Sequence, residues 1–163
     1  MILTRTSGEF IATAASHHMP NNPSILVVDD SQDSREMLAE YLQFRGFDIS
    51  VAENGEEAIS AARRVRPDII LMDLSMPGID GWEATRQLKA DPLTSHSVII
   101  AVSAHAFAPE RQAADRAGCD AFILKPYDLT ILANTLHETA KGLRYSTEPI
   151  EPVAKPVLEV DGA

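Results

Sequence analysis

The chain has 163 residues, of which 14 are Lys or Arg and 24 are Asp or Glu, so its net charge is -10. A protein this acidic repels phosphate groups, which disfavours direct binding to nucleic acid or to an anionic membrane. The single cysteine, Cys119, excludes an internal disulfide framework. No apolar run reaches the roughly 18 residues that a membrane span needs. These features predict an acidic, cytoplasmic, single-domain protein.

The two ends of the chain lack the periodicity of regular structure. Residues 1–23 finish with the sequence HHMPNNP, in which Pro and Asn disfavour helix and strand. Residues 142–163 contain three prolines and no sustained apolar pattern. We therefore predict a folded domain at residues 24–141, preceded by a disordered extension (1–23) and followed by a disordered tail (142–163).

Five apolar segments of the predicted domain are short enough to be β-strands. In chain order they are 25–28 (ILVV), 48–52 (DISVA), 69–72 (IILM), 98–102 (VIIAV) and 121–124 (AFIL). The first, third and fourth are apolar at every position, which is typical of central parallel strands that helices cover on both faces. The second alternates polar and apolar residues, which indicates a half-exposed edge strand.

Helical patterns separate and follow these strands, with apolar residues three or four positions apart on one face. The predicted faces are Met37, Leu38, Tyr41 and Leu42; Ala58, Ile59, Ala62 and Val65; Ala84, Thr85 and Leu88; Ala113, Ala114 and Ala117; and Leu129, Leu132 and Leu136. Helix-ending residues follow the first four patterns, at Gly46, Pro67, Asp91 with Pro92, and Gly118.

Five strand–helix units in succession predict an α/β protein with a doubly wound, five-stranded parallel sheet, a flavodoxin-like (βα)5 fold. The alternating second strand belongs at an edge, and the first and third strands belong in the centre. The strand order 2-1-3-4-5 satisfies both requirements. In such sheets the functional crevice lies at the carboxyl ends of the strands, near the point where the strand order reverses.

Polar side chains follow four of the five predicted strands at that edge. Asp29 and Asp30 follow the first strand, Asp73 the third, Ser103 the fourth and Lys125 the fifth. Each of these alone is more often a helix cap, a polar strand end or a solvated side chain. Their convergence favours a functional site, because carboxylates a few ångströms apart repel by roughly 4 kcal/mol per pair at an effective dielectric near 20.

A divalent cation would relieve this repulsion. Hard oxygen ligands favour Mg²⁺, and no His or Cys cluster in the sequence offers zinc ligands. A carboxylate beside Mg²⁺, with an ammonium and a hydroxyl opposite, is suited to phosphoryl transfer. Asp73 is the expected acceptor because it ends a central strand between the other groups.

At these residues the sequence resembles the receiver domain of two-component response regulators, over residues 24–141. The resemblance rests on ILVVDD from Ile25, ILMDLSMP from Ile70 with Asp80 and Gly81 after it, AVSA from Ala101, and Lys125 before Pro126. It implies that Asp73 accepts a phosphoryl group from a histidine of a partner kinase or a histidine phosphotransfer protein. It also implies that the protein then signals through contact with a downstream protein target.

The resemblance further implies a set of metal ligands. Asp30, Asp73 and the main-chain carbonyl of Ser75 would bind Mg²⁺, and Asp29 would act largely through water.

The resemblance also implies which residues contact the phosphoryl group and which residues change position after phosphorylation. Lys125 would contact the phosphoryl group, and its peptide bond with Pro126 would be cis. Ser103 would donate a hydrogen bond to a phosphoryl oxygen and draw its loop inward. Phe122 stands at the position of the switch aromatic and has no hydroxyl, so a switch here would depend on ring position alone. The hypothesis is that phosphorylation reshapes the face of the fourth and fifth helices.

Two other functions share parts of this pattern. A haloacid-dehalogenase-like phosphatase also forms an aspartyl phosphate, but it needs a second acid two residues after the nucleophile, where this chain has Ser75. A nucleotide- or flavin-binding module would carry a glycine-rich phosphate loop after a strand, and none is present.

Within the receiver family, two roles stay open. The 22 residues after Lys141 are too few for an output domain, which favours a stand-alone regulator or phosphorelay shuttle. A receiver segment excised from a hybrid histidine kinase would have the same sequence features.

Cys119 is interpreted as a small packed residue and not as a reactive thiol.

Overall fold

The computed structural model describes residues 22–74, 76, 81–104 and 108–145. These residues form a parallel sheet of five strands in the order β2-β1-β3-β4-β5, which confirms the predicted fold and strand order. The strands are β1 (Ser24–Val28), β2 (Asp48–Ala52), β3 (Ile69–Asp73), β4 (Val98–Ser103) and β5 (Ala121–Leu124). The helices are α1 (Gln32–Phe44), α2 (Gly55–Val65), α3 (Gly81–Ala90), α4 (Ala108–Ala117) and α5 (Leu129–Tyr145).

The sheet separates two apolar layers, because successive side chains of a strand point to opposite faces. In β1, Leu26 and Val28 pack with α2, α3 and α4, whereas Ile25 and Val27 pack with α1 and α5. Strands β3 and β4 are buried along their whole length, as their uniformly apolar sequences predict. At the sheet edge, β2 is only partly covered and exposes Val51. Its place at the edge confirms the prediction for this strand.

Two residues of the predicted helix faces lie in solvent. Met37 is 51% exposed and Val65 is 38% exposed, so they do not belong to the buried faces of α1 and α2. Met37 directly precedes the buried Leu38, and one helical position is a rotation of about 100°. This rotation carries Met37 out of the narrow stripe that α1 buries through Leu38 and Leu42. Val65 is the last residue of α2, where the helix ends.

Helix ends follow local capping chemistry. The Asn54 side chain accepts a hydrogen bond from the Glu57 amide at 2.8 Å and caps the start of α2. Gly46 and Gly118 follow α1 and α4 with φ of 89° and 92°, conformations that favour glycine. Arg66, the C-cap of α2, has φ of 48° and precedes Pro67. The predicted helix-ending residues therefore lie where the helices end.

Regular structure and buried contacts extend beyond the predicted residues 24–141 at both ends. Helix α5 continues through Gly142 to Tyr145, because one glycine costs a helix only about 1 kcal/mol relative to alanine. Pro23 is buried, and its carbonyl accepts a hydrogen bond from the Asp48 amide at 2.9 Å. The rest of the predicted disordered extension (1–21) and tail (146–163) lies outside the described residues.

Cys119 packs against the apolar layer of α2, α3 and α4, and its Sγ lies 4.0 Å from the Thr85 hydroxyl oxygen. Burial raises the pKa of the thiol to about 11. At pH 8 about 0.1% of it is therefore thiolate, and we expect iodoacetamide to alkylate the folded protein about 100-fold more slowly than free cysteine. Intact-mass time courses measure this rate, which should increase as the pH approaches 11. Equal rates in buffer and in guanidinium chloride would contradict the prediction.

Candidate functional site

Three Asp carboxylates meet at the carboxyl edge of the sheet. Asp29 and Asp30 follow β1, and Asp73 is the last residue of β3, the neighbour of β1 in the sheet. One carboxylate oxygen from each residue lies within 4.8 Å of the other two. Asp29 and Asp73 are buried, whereas Asp30 is exposed. The cluster therefore opens to solvent on the side of Asp30.

The Asp29 carboxylate is held at both of its oxygens. Its Oδ1 accepts a hydrogen bond from the Ser31 amide at 2.9 Å. Its Oδ2 lies 3.4 Å from the Lys125 ammonium nitrogen. In addition, the Asp29 amide donates to the Ala52 carbonyl of β2 at 3.2 Å, which prolongs the pairing of β1 and β2 by one residue. These contacts fix the orientation of the carboxylate.

Lys125 connects two of the three carboxylates. Its Nζ lies 3.3 Å from Asp73 Oδ2 and 3.4 Å from Asp29 Oδ2. Burial opposes the charged form of Lys125, but the Asp73 and Asp29 carboxylates outweigh this effect and raise the pKa of the ammonium above its usual value. Three carboxylates and one ammonium leave two net negative charges when all four groups are ionised.

The ends of β4 and β5 place Ser103 and Lys125 at the same edge. Ser103 is buried and ends β4, one residue beyond Val102, the partner of Asp73 in the sheet. The Lys125 amide donates to the Ser103 carbonyl at 2.8 Å, so the pairing of β4 and β5 continues to the site. The peptide bond between Lys125 and Pro126 is cis, as the family resemblance implied.

Close packing of α3 supports the backbone of Asp73. A Cβ atom at Gly81, the first residue of α3, would lie 2.4 Å from the Asp73 carbonyl oxygen and 2.9 Å from Leu74 Cα. Only glycine allows this approach. The Leu74 amide also donates to the Val102 carbonyl at 3.1 Å. The end of β3 is thus held by α3 on one side and by β4 on the other.

Of two further predicted site residues, the structure describes Phe122 but not Ser75. Phe122 lies in β5, opposite Ala101 of β4, and is partly buried against the layer of α2, α3 and α4. Ser75, whose carbonyl was predicted to be a metal ligand, lies outside the described residues.

Sequence reasoning missed Arg35, a residue of α1 that reaches back to the site. Its Nη1 donates a hydrogen bond to the Asp29 carbonyl at 2.7 Å. The only signal in the sequence was that Arg35 is the one basic residue of an otherwise acidic helix. That signal says nothing about a main-chain partner.

The arrangement fits a hard divalent cation. Its donors are carboxylate oxygens, its net charge is negative, and Asp30 leaves it open to solvent and water ligands. The described residues contain no other group of three or more His, Cys, Asp or Glu with this proximity.

Comparison with known proteins agrees with this geometry. A family model described as the response regulator receiver domain matches residues 25–137. Protein PilH of Pseudomonas aeruginosa is 36% identical over 118 residues, which are 72% of this chain and 98% of PilH. The polar-differentiation response regulator DivK of Brucella anthropi is 33% identical over 113 residues, 69% of this chain and 92% of DivK. The structure of the chemotaxis protein CheY4 of Vibrio cholerae gives a TM-score of 0.69 at 26% identity, covering 72% of this chain and 98% of CheY4.

The doubly wound sheet with an acidic carboxyl edge defines a class of α/β domain whose site lies where the strand order reverses. Within this class, the chain belongs to the response regulator receiver domain family of two-component signalling. Receiver domains are signalling switches and generally not turnover enzymes, which favours this function over the phosphatase alternative.

Among the described residues, no helix combines the length and the apolar character that crossing a bilayer requires.

Proposed function

We propose that the protein is a phospho-accepting switch in which Asp73 receives a phosphoryl group in a Mg²⁺-dependent reaction. The donor would be a phosphohistidine on a partner kinase or a histidine phosphotransfer protein. The observation that carries this proposal is the cluster of three carboxylates within 4.8 Å of one another, two of which contact Lys125. The proposal explains why two buried carboxylates and one exposed carboxylate are kept together beside an ammonium.

The proposed metal ligands are Asp30, Asp73 and the main-chain carbonyl of Ser75, with Asp29 contributing through water. Mg²⁺ bound there would stabilise the negative charge that develops on the phosphoryl oxygens.

Asp73 is the proposed acceptor among the three carboxylates because of its position in the sheet. Asp73 ends a central strand, between the acids that follow β1 and the groups that follow β4 and β5. In the transfer, a carboxylate oxygen of Asp73 forms a bond to phosphorus as the bond to the donor imidazole nitrogen breaks. The imidazole leaves with the electron pair and takes up a proton.

Lys125 and Ser103 are proposed to bind the transferred group. The Lys125 ammonium lies 3.3 Å from Asp73 Oδ2 and would balance charge on a phosphoryl oxygen attached there. Ser103 ends β4, the strand beside Asp73, and its hydroxyl would donate a hydrogen bond to a second phosphoryl oxygen. Phe122 lies on β5, the outer strand next to β4. It is proposed as the aromatic residue whose ring position changes when the loop after Ser103 moves.

We propose that the signal passes to a downstream protein by direct contact. The relatives PilH and DivK are aligned over 98% and 92% of their lengths, so a chain of about one receiver domain is the pattern among them. This supports a stand-alone regulator or a phosphorelay shuttle. The alternative, a receiver segment of a hybrid histidine kinase, uses the same chemistry at Asp73.

Acetyl phosphate tests the proposal without a partner protein. We expect incubation with acetyl phosphate and Mg²⁺ to increase the intact mass by one phosphoryl group, and EDTA in place of Mg²⁺ to prevent the increase. An unchanged mass with Mg²⁺, or equal modification in EDTA, would show the proposal to be wrong. Sustained turnover of p-nitrophenyl phosphate would instead support the phosphatase alternative.

A further inference from the structure

We propose that Arg35 is a positioning residue for the acidic site, which holds the peptide unit between Asp29 and Asp30 and so presents these two carboxylates to a cation. The inference rests on the proposed function, in which both residues take part in binding Mg²⁺. It concerns a side chain of α1 that contacts the backbone of the site and is not itself a ligand.

The contact is short and protected from solvent. Arg35 Nη1 donates to the Asp29 carbonyl oxygen at 2.7 Å, and the Arg35 side chain is only 14% exposed. A guanidinium so far removed from water is costly unless its donors are bonded. The geometry therefore favours a persistent hydrogen bond over a transient surface contact.

The peptide unit held by Arg35 is the one that places Asp30. The Asp29 amide is bonded to the Ala52 carbonyl, and the Asp29 carbonyl is bonded to Arg35, so the backbone of Asp29 is anchored on both sides. Because a peptide unit is planar, the orientation of the Asp29 carbonyl sets the position of the Asp30 Cα. Asp30 is the exposed member of the cluster, so its main chain has the greatest need of an anchor.

The second guanidinium nitrogen makes a weaker contact. Arg35 Nη2 lies 3.8 Å from Glu53 Oε2, and the Glu53 side chain is 60% exposed. Exposed ion pairs of this length contribute little. The proposal therefore assigns the effect of Arg35 to the Asp29 carbonyl and predicts that Glu53→Gln changes cation binding by less than about twofold.

Positioning and charge predict opposite effects of removing Arg35. If Arg35 acted only through its positive charge, its removal would leave the site more negative, and Mg²⁺ would bind more tightly. If Arg35 positions the peptide unit, its removal frees Asp30, and Mg²⁺ binds more weakly. Loss of a residue that orients metal ligands typically lowers metal affinity by about 10- to 100-fold.

The experiment compares Arg35→Met, Arg35→Lys and Arg63→Met by calorimetric titration with MgCl₂. Arg63 is the matched control. It lies on α2, outside the acidic cluster, and its Nε pairs with Asp91 Oδ2 at 2.6 Å. We expect about 10-fold weaker Mg²⁺ binding for Arg35→Met, partial recovery for Arg35→Lys, and no change for Arg63→Met. Phosphorylation by acetyl phosphate should need correspondingly more Mg²⁺ and recover at saturating Mg²⁺.

A second measurement needs no metal. The Asp30 amide belongs to the peptide unit that Arg35 holds, so its ¹⁵N shift in the metal-free protein should change in Arg35→Met and Arg35→Lys but not in Arg63→Met. Mg²⁺ binding by Arg35→Met that equals or exceeds that of the wild type overturns the inference. If Arg35→Met does not fold, an unchanged Asp30 shift in Arg35→Lys overturns it instead. A wild-type protein that takes up neither Mg²⁺ nor a phosphoryl group overturns the proposed function itself.

Discussion

The Asp73→Asn variant is expected to show no phosphoryl adduct after incubation with acetyl phosphate and Mg²⁺. The amide that replaces the carboxylate is neutral and does not attack phosphorus. Asp29 and Asp30 follow β1, which lies one strand further from β4 and β5 than β3 does, and Asp30 is exposed at the mouth of the cluster. Intact mass with and without Mg²⁺ measures the loss.

The same substitution is expected to stabilise the metal-free protein by about 2 kcal/mol. Coulomb's law at an effective dielectric near 20 gives two repulsions of about 3.5 kcal/mol each, with Asp29 and Asp30 within 4.8 Å, against one attraction of about 5 kcal/mol with Lys125 at 3.3 Å. The repulsion from the two acids therefore exceeds the attraction to Lys125. Urea unfolding in EDTA measures the difference, and saturating Mg²⁺ should reverse its sign by stabilising the wild type alone.

Asp33→Asn is the control for both measurements, because Asp33 is an exposed acid in the first turn of α1. It should keep the phosphoryl adduct, and it should not stabilise the protein, because an acid in the first turn interacts favourably with the helix dipole. An adduct that survives Asp73→Asn would assign the chemistry to another residue. A metal-free variant less stable than the wild type would mean that Lys125 already neutralises the cluster.

The Gly81→Ala variant is expected to lose about 3 kcal/mol of stability and most of its rate of phosphorylation. The added methyl group would lie 2.4 Å from the Asp73 carbonyl oxygen and 2.9 Å from Leu74 Cα. Both are backbone atoms at the end of the central strand β3, so the side chains cannot rotate to relieve the overlap. Either α3 moves outward or the backbone of Asp73 shifts, and both displace the acceptor carboxylate.

The matched control for Gly81→Ala is Gly142→Ala. Gly142 lies within α5, and a Cβ there would have no atom within 4 Å. The methyl group should therefore stabilise the helix by about 0.5 to 1 kcal/mol. Thermal unfolding followed by circular dichroism compares the two variants, and the prediction requires opposite signs. A Gly81→Ala protein as stable as the wild type would mean that α3 is not packed on β3 in this way.

Local sequence patterns were sufficient for the elements and for most of the site. Uniformly apolar segments identified the central strands, and polar residues at their ends identified Asp29, Asp73 and Lys125 as neighbours, since parallel strands end at one edge. The predicted helix faces were less accurate at their margins. Met37 and Val65 are exposed because an apolar residue beside a buried stripe can lie outside the contact with the sheet.

The contacts that orient the site could not be predicted. Arg35 binds a main-chain carbonyl, a group that every residue carries and no sequence pattern marks. Gly81 was part of the family resemblance, but its close approach to the Asp73 backbone depends on where α3 packs. In the same way, the contact of Lys125 with both Asp29 and Asp73 depends on side-chain positions across two strands.

By itself, the sequence determined the five strand–helix units, their order in the sheet and the acids at its carboxyl edge. It could do so because periodicity and strand ends are local properties of a chain. Only the tertiary structure decided how those acids are oriented: Lys125 between two of them, α3 against the backbone of Asp73, and Arg35 on the carbonyl of Asp29. These contacts join residues far apart in the chain or engage main-chain atoms, and their existence follows from packing.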